Sequence, residues 1–147
     1  MAKSCHDIDW LCYIMNDITT ANNGGAVVNP DKISSFGSLL HFKRENKPVG
    51  ATERCLDCPS HIENNCAYSA KKIYLDRVQQ GVTGWPVNII VRSGDIPDIE
   101  NVTDALRSTD YGKCVYGDCN NDVVDNQVVN ILFDNGTTCS FGMVAFT

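Results

Sequence analysis

The chain has 147 residues, of which 43% are hydrophobic, and it therefore suits one domain with a hydrophobic core and excludes a disordered chain. Its net charge is -6 and its basic residues form only short pairs such as Lys43-Arg44, which excludes the basic stripe of a nucleic-acid-binding protein. No apolar run approaches the roughly 18 residues of a membrane span, and the N-terminus lacks the apolar stretch of a signal peptide. We therefore expect a cytoplasmic protein with neither membrane nor nucleic acid as a partner.

An amphipathic helix is predicted directly behind Met1-Ala2. Helical spacing forms an apolar side from Ile8, Leu11, Met15 and Ile18. The opposite side carries a candidate acid/base set of Lys3, His6 and Asp9. A helix held by its apolar side would present these groups in a fixed geometry, as catalysis requires. The alternative interpretation is an ordinary solvated helix face.

The middle of the chain alternates loops with regular elements. Residues 19–30 contain Asn, Gly and Pro in the combinations typical of a loop, and residues 32–43 have the β-branched and aromatic content of a strand. Residues 45–66 have little periodicity and should be irregular. Helical spacing returns in residues 68–80, followed by Gly81 as a C-terminal cap.

The last third of the chain predicts a short helix and a hairpin. The helix covers residues 101–108, with Asn101 or Thr103 near its start. Two β-rich segments, residues 125–133 and 137–146, flank an Asp-Asn-Gly turn sequence and predict an antiparallel hairpin. Alternation along the second strand predicts one face toward the core and one exposed face that is available for pairing.

Eight cysteines indicate either a metal site or reduced thiols, because nothing directs the chain to an oxidising compartment. Tetrahedral zinc would suit four of them. The predicted ligands are Cys55, Cys58, Cys66 and Cys114. Cys119 and His61 are further candidates for this set, and unligated thiols, disulfides or redox chemistry are the alternatives. The remaining cysteines, Cys5, Cys12 and Cys139, are expected to be small core residues.

The sequence at each end of the chain is typical of a domain taken from a longer protein. The first helix has no Ser, Thr, Asp or Asn at the expected cap position. At the other end, Thr147 closes the chain on a predicted strand. We therefore expect residues 1–147 to be a single domain that lacks an N-terminal partner domain.

Six blocks in order resemble one known family. They are residues 3–10, 34–37, 41–43, 54–59, 68–74 and 121–130. Throughout its length the chain resembles the C-terminal domain of the Gfo/Idh/MocA oxidoreductases, the glucose-fructose oxidoreductase and inositol dehydrogenase family. The resemblance implies an α+β fold with a mainly antiparallel open β-sheet and flanking helices.

The same resemblance implies a function that needs a second domain. Members of the family pair a Rossmann domain that binds NAD or NADP with a C-terminal domain that forms the substrate site and often the oligomer interface. This chain has no Gly-x-Gly-x-x-Gly motif, and Asn46-Lys47-Pro48 does not replace the family's Glu-Lys-Pro motif. The chain therefore resembles the substrate-binding and oligomerisation part alone. Its implied partners are the missing Rossmann domain, a sugar-like or polyol-like small molecule and a second copy across the sheet.

The resemblance also bears on the candidate acid/base residues His6, Asp9 and Lys3. His6 matches the family histidine that acts on the substrate hydroxyl during hydride transfer, and Asp9 matches the aspartate of the His-x-x-Asp pattern. The family's preceding aspartate is not matched, because Ala2 occupies its position and Lys3 is the nearest ionisable group.

The rival hypothesis is a non-enzymatic, zinc-stapled module that binds a protein partner through its exposed sheet face.

Overall fold

A computed structural model describes residues 4–23 and 27–146, with the side chains of Ser4 and residues 18–23 left undescribed. The chain divides into two compact units, one formed by Met1–Leu40 with Val123–Thr147 and the other by His41–Asp122. Each unit is described by itself below, and the single domain expected from the sequence stays a prediction. In the part of the chain that is described, no helix has the length and apolar character needed to cross a membrane.

The first unit is one helix on an antiparallel sheet. Helix α1 covers Ser4–Asn23. The sheet has the order β1-β2-β3, with β1 at Pro30–Ser38, β2 at Asn126–Phe133 and β3 at Thr138–Val144. Both strand pairs are antiparallel, and β2 and β3 form the predicted hairpin. Helices with a three-stranded open antiparallel sheet confirm the α+β class.

Alternation along β2 builds the core of this unit. Val129, Ile131 and Phe133 are buried, because every second side chain of a strand points to the same face. Ile8 and Met15 of α1 pack against them, which confirms these two members of the predicted apolar side, whereas Leu11 is not among the residues packed against this core. The side chain of Ile18, predicted to continue that side, lies outside the described residues.

Two boundaries in the first unit differ from the prediction by four or five residues. α1 runs to Asn23, into the predicted loop, because Thr19–Asn23 contains no glycine or proline that would stop a helix. β1 ends at Ser38 instead of residue 43, because the backbone N–H of Leu40 donates to the Asp125 carboxylate at 2.7 Å. The buried side chain of Asp125 thus accepts a hydrogen bond that, in a longer β1, would go to the neighbouring strand.

The second unit begins irregularly, as predicted. Single 3₁₀ turns lie at Arg44–Asn46 and Cys55–Asp57, and the helix α2 covers only Ser60–Glu63. Neither 3₁₀ turn contains a buried residue. The one described β-bridge outside the sheet joins Arg54 to Lys113. The shape of this segment is therefore not set by a stripe of core residues.

The predicted helix over 68–80 exists, but its first part is π-helical. A π-helical turn at Lys71–Leu75 runs directly into α3 at Asp76–Gln79. The backbone N–H of Val82 donates to the Arg77 carbonyl at 3.0 Å, and Gly81, at φ +83°, confirms the predicted cap. A left-handed residue at this point is the usual role of glycine after a helix.

Helix α4 covers Ile99–Ser108 and begins two residues earlier than predicted. Its cap is Asp98, whose carboxylate accepts from the Asn101 backbone N–H at 2.7 Å. The Asn101 side chain in turn accepts from the Asp98 backbone N–H at 3.0 Å, which completes a capping box. The core of the second unit forms around α4, with Val102 and Leu106 fully buried.

Candidate functional site

The predicted acid/base residues lie at the N-terminal end of α1. His6 and Asp9 are exposed and three residues apart, so their side chains project from neighbouring positions of one helix surface. Lys3, the third predicted residue, lies outside the described residues. Because Ile8 and Met15 hold α1 against the sheet, His6 and Asp9 are presented from an anchored helix. Their role in catalysis stays a prediction.

A groove of about 590 Å³ lies between α1 and the sheet of the first unit. Its polar groups include the Asp9 carboxylate, the Ser35 hydroxyl and the Gln127 amide, and Gln127 Nε2 donates to Ser35 Oγ at 3.0 Å. Apolar side chains such as Ile8 and Phe141 form much of the remaining wall. A few polar groups on an apolar surface, in a space of this size, are typical of small-molecule sites.

Cysteines of the first unit also border this groove. Cys5 and Cys12 line it beside Asp9. Cys5 is exposed, so its predicted place in the core is wrong. The reason is that Cys5 points to the open groove, whereas Cys139 on β3 is half-buried and packs against the core.

The four cysteines predicted as metal ligands line one small cavity in the second unit. The cavity has a volume of about 30 Å³, and its thiol groups are Cys55, Cys58, Cys66 and Cys114. Cys119 does not line it, and its thiol lies 3.9 Å from the Val115 carbonyl oxygen. None of the eight cysteines, all of which lie in the described ranges, forms a disulfide. Within the described ranges, no group of three or more His, Cys, Asp or Glu side chains is already arranged to hold a metal ion.

Burial controls the chemistry of these thiols. Desolvation raises the pKa of Cys55, although a hydrogen bond from the Ala70 backbone N–H opposes the rise. Desolvation likewise raises the pKa of Cys114, against a hydrogen bond from the Tyr116 backbone N–H. In the absence of an ion, both groups are therefore neutral thiols at pH 7.

A buried carboxylate lies at the same cavity. Glu63 accepts a hydrogen bond from the Ser69 hydroxyl, and Lys71 Nζ lies 3.5 Å from its second oxygen. The hydrogen bond from Ser69, supported by the charge of Lys71, lowers the pKa of Glu63 despite the burial of its carboxyl group. Glu63 is therefore ionised at neutral pH. The sequence pattern carried no signal for this residue, which is one acid in a polar, irregular segment.

Aromatic rings pack beside the cavity. Phe42 and Tyr68 lie edge to face with ring centroids 4.9 Å apart, and Tyr116 lines the cavity itself. The Tyr116 hydroxyl oxygen lies 3.3 Å from His41 Nε2. Burial raises the pKa of Tyr116, so the phenol remains protonated. His41 and Tyr116 come from segments 75 residues apart, which is why no sequence spacing pointed to the pair.

Comparison with protein-family models, curated proteins and solved structures gives no match to this chain.

Proposed function

We propose that this chain is the substrate-binding and oligomerisation part of an NAD(P)-dependent oxidoreductase that acts on a sugar-like or polyol-like molecule. The observation that carries the proposal is the Asp9 side chain in the wall of a polar-rimmed groove, with His6 exposed on the same anchored helix but not among the residues that line the groove. The family resemblance of the sequence supports it. The dinucleotide belongs to a separate Rossmann domain, because this sequence contains no Gly-x-Gly-x-x-Gly motif. The chain by itself is therefore inactive.

In this proposal His6 is the general base for oxidation of a substrate hydroxyl. A nicotinamide bound by the separate Rossmann domain would supply the hydride acceptor. The imidazole of His6 would take up the proton of the substrate hydroxyl as that group is oxidised to a carbonyl. Asp9, at the groove, hydrogen-bonds the substrate hydroxyls or orients the imidazole, and Lys3 assists in orientation. Ser35 and Gln127 provide further hydrogen-bonding groups for a polyol.

A titration of the chain with myo-inositol and glucose tests the binding part of the proposal. We expect amide chemical-shift changes in NMR spectra at Asp9, Ser35 and Gln127. Asp9→Asn should weaken binding, whereas Asp17→Asn, on an exposed position of the same helix two turns later, should not. Equal binding by both variants, or shift changes confined to the second unit, would contradict the proposal.

Turnover tests the catalytic part in a protein that joins this chain to a Rossmann domain. Such a protein exists if the encoding gene continues upstream into a Gly-x-Gly-x-x-Gly segment. There, His6→Ala should reduce turnover by about 10²–10⁴-fold, the usual contribution of a general acid/base. The control His61→Ala changes an exposed histidine of the second unit. If His6→Ala leaves turnover unchanged, His6 is not the acid/base.

The oligomerisation part of the proposal concerns the sheet face opposite α1. Phe36 is 75% exposed, and its register partner Val128 on β2 is 47% exposed. We propose that this face pairs with a second copy of the chain, because exposed apolar side chains on adjacent strands favour burial. Phe36→Glu should then convert a dimer to a monomer in analytical ultracentrifugation, whereas Tyr13→Glu on the outer side of α1 should not. A wild-type monomer at all concentrations would exclude the proposed pairing.

A further inference from the structure

Four thiols from three separate segments converge on the cavity of the second unit. Cys55 begins one 3₁₀ turn and Cys58 follows it, Cys66 follows α2, and Cys114 comes from a loop 48 positions after Cys66. Binding of one ion through sulfur would account for the presence of four of the eight cysteines in the lining of one cavity.

The volume and the walls of the cavity limit what this ligand can be. A space of about 30 Å³ accommodates one water-sized particle and no organic cofactor. The soft donors around it select a thiophilic cation over Mg²⁺ or Ca²⁺, which prefer oxygen ligands. A single metal ion bound through sulfur fits both limits.

Ion pairs hold the loop of Cys114 in place. Asp118 fixes this loop against the turn at Arg44–Asn46, because its carboxylate pairs with Arg44 at 3.1 Å and with Lys47. The backbone that carries the Cys114 thiol is therefore anchored beside the cavity.

We propose that Cys55, Cys58, Cys66 and Cys114 bind one thiophilic divalent cation, with Zn²⁺ as the expected ion. Binding converts four thiols to thiolates and releases their four protons to solvent while the ion keeps its charge, so no electron is transferred. Because no three of these side chains are already arranged to hold an ion among the described residues, they must rotate toward the ion as it binds. The ion would crosslink a segment whose 3₁₀ turns contain no fully buried residue. This proposal is independent of the proposed oxidoreductase function.

Metal analysis of the complete chain tests the site directly. The purified reduced protein, reconstituted with Zn²⁺ and desalted, should contain one zinc per chain by elemental mass spectrometry. Cys55→Ser and Cys114→Ser should lower this content by about tenfold or more. Cys119→Ser is the matched control, because this half-buried cysteine lies five positions after Cys114 but outside the cavity, and it should keep one zinc per chain.

A second measurement needs no variant and remains decisive if the serine variants do not fold. Alkylation of the wild-type chain, mapped by peptide mass spectrometry, should show protection of the four cavity cysteines by Zn²⁺ and its loss with a chelator. Cys5, which is exposed, should react equally in both states. Substitution with Co²⁺ should produce a thiolate-to-metal charge-transfer band. A chain that binds no metal, a disulfide among the four cysteines, or iron with inorganic sulfide would each overturn the proposal.

Discussion

Gly112 occupies a position where even a methyl group has no room. It ends the 3₁₀ turn Asp110–Gly112, directly after α4. A Cβ atom added at Gly112 would lie 1.8 Å from the Leu106 carbonyl oxygen and 2.6 Å from its carbonyl carbon. Both atoms belong to the backbone of the last turn of α4, so no side-chain rotation can relieve the contact.

The loss of free energy of unfolding expected for Gly112→Ala follows from the backbone displacement that the new Cβ atom requires. Restoring an ordinary separation of 3.4 Å from 1.8 Å needs a displacement of about 1.6 Å. Overpacking of a filled region costs about 1–3 kcal/mol. The Leu106 carbonyl also accepts from Arg54 Nη1 at 2.9 Å, and loss of a hydrogen bond to a charged group costs about 1.5–3 kcal/mol. We therefore expect the free energy of unfolding to fall by about 3–5 kcal/mol, a large part of the total for a small protein.

Urea unfolding monitored by far-UV circular dichroism measures this loss. The control is Gly84→Ala, because a Cβ at Gly84 meets nothing within 4 Å. It should change the free energy of unfolding by less than about 0.5 kcal/mol, as most surface substitutions do. If Gly112→Ala and Gly84→Ala unfold at the same urea concentration, the close approach of Gly112 to α4 does not exist in the protein.

Substitutions at three further positions test a core, a helix cap and a buried charge. Phe133→Ala should cost about 3–5 kcal/mol in urea unfolding, because Phe133 is only 1% exposed and its removal leaves a cavity in the first unit. Asp98→Ala should lower the melting temperature through a loss of about 0.5–2 kcal/mol, and Asp98→Asn should largely restore it, because Asn also caps helices. Because the pKa of Glu63 is lower in the folded state than in the unfolded state, its ionised carboxylate stabilises the fold. This contribution is fully present above the unfolded pKa of about 4.3 and is lost as the pH falls through the lower pKa of the folded state. Glu63→Gln should flatten that loss between pH 5 and pH 2, and an unchanged pH profile would show that the bond from Ser69 does not shift this carboxyl group.

Local patterns predicted the regular elements well. The spacing of Ile8 and Met15 identified the side of α1 that packs on the sheet. Alternation in β2 and the Asp-Asn-Gly sequence identified the hairpin, whose Gly136 has φ +82°. Such signals depend on residues a few positions apart, so they can be read from a linear chain. The boundaries were less accurate, because Asp125 ends β1 and Asp98 begins α4 through hydrogen bonds that propensity does not encode.

For the candidate sites too, local spacing was informative and long-range contacts were not predictable. The Cys-x-x-Cys spacing made Cys55 and Cys58 recognisable as a pair, and helical spacing placed His6 near Asp9. The buried bond between Ser69 and Glu63 could not be inferred, because neither residue stands out within its irregular segment. Its strength comes from burial, which depends on every segment that covers it.

By itself, the sequence determined the helix α1 and the β2-β3 hairpin, because these depend on short-range periodicity and turn chemistry, and the family resemblance implied the α+β class. It also named Cys55, Cys58, Cys66 and Cys114 as one candidate set, with Cys119 and His61 as further candidates. Only the tertiary structure brings the distant Cys114 to the cavity, and it leaves Cys119 and His61 outside the cavity lining. The physical reason is that contacts across some sixty residues result from the packing of the whole second unit around α4, and no local pattern records that packing.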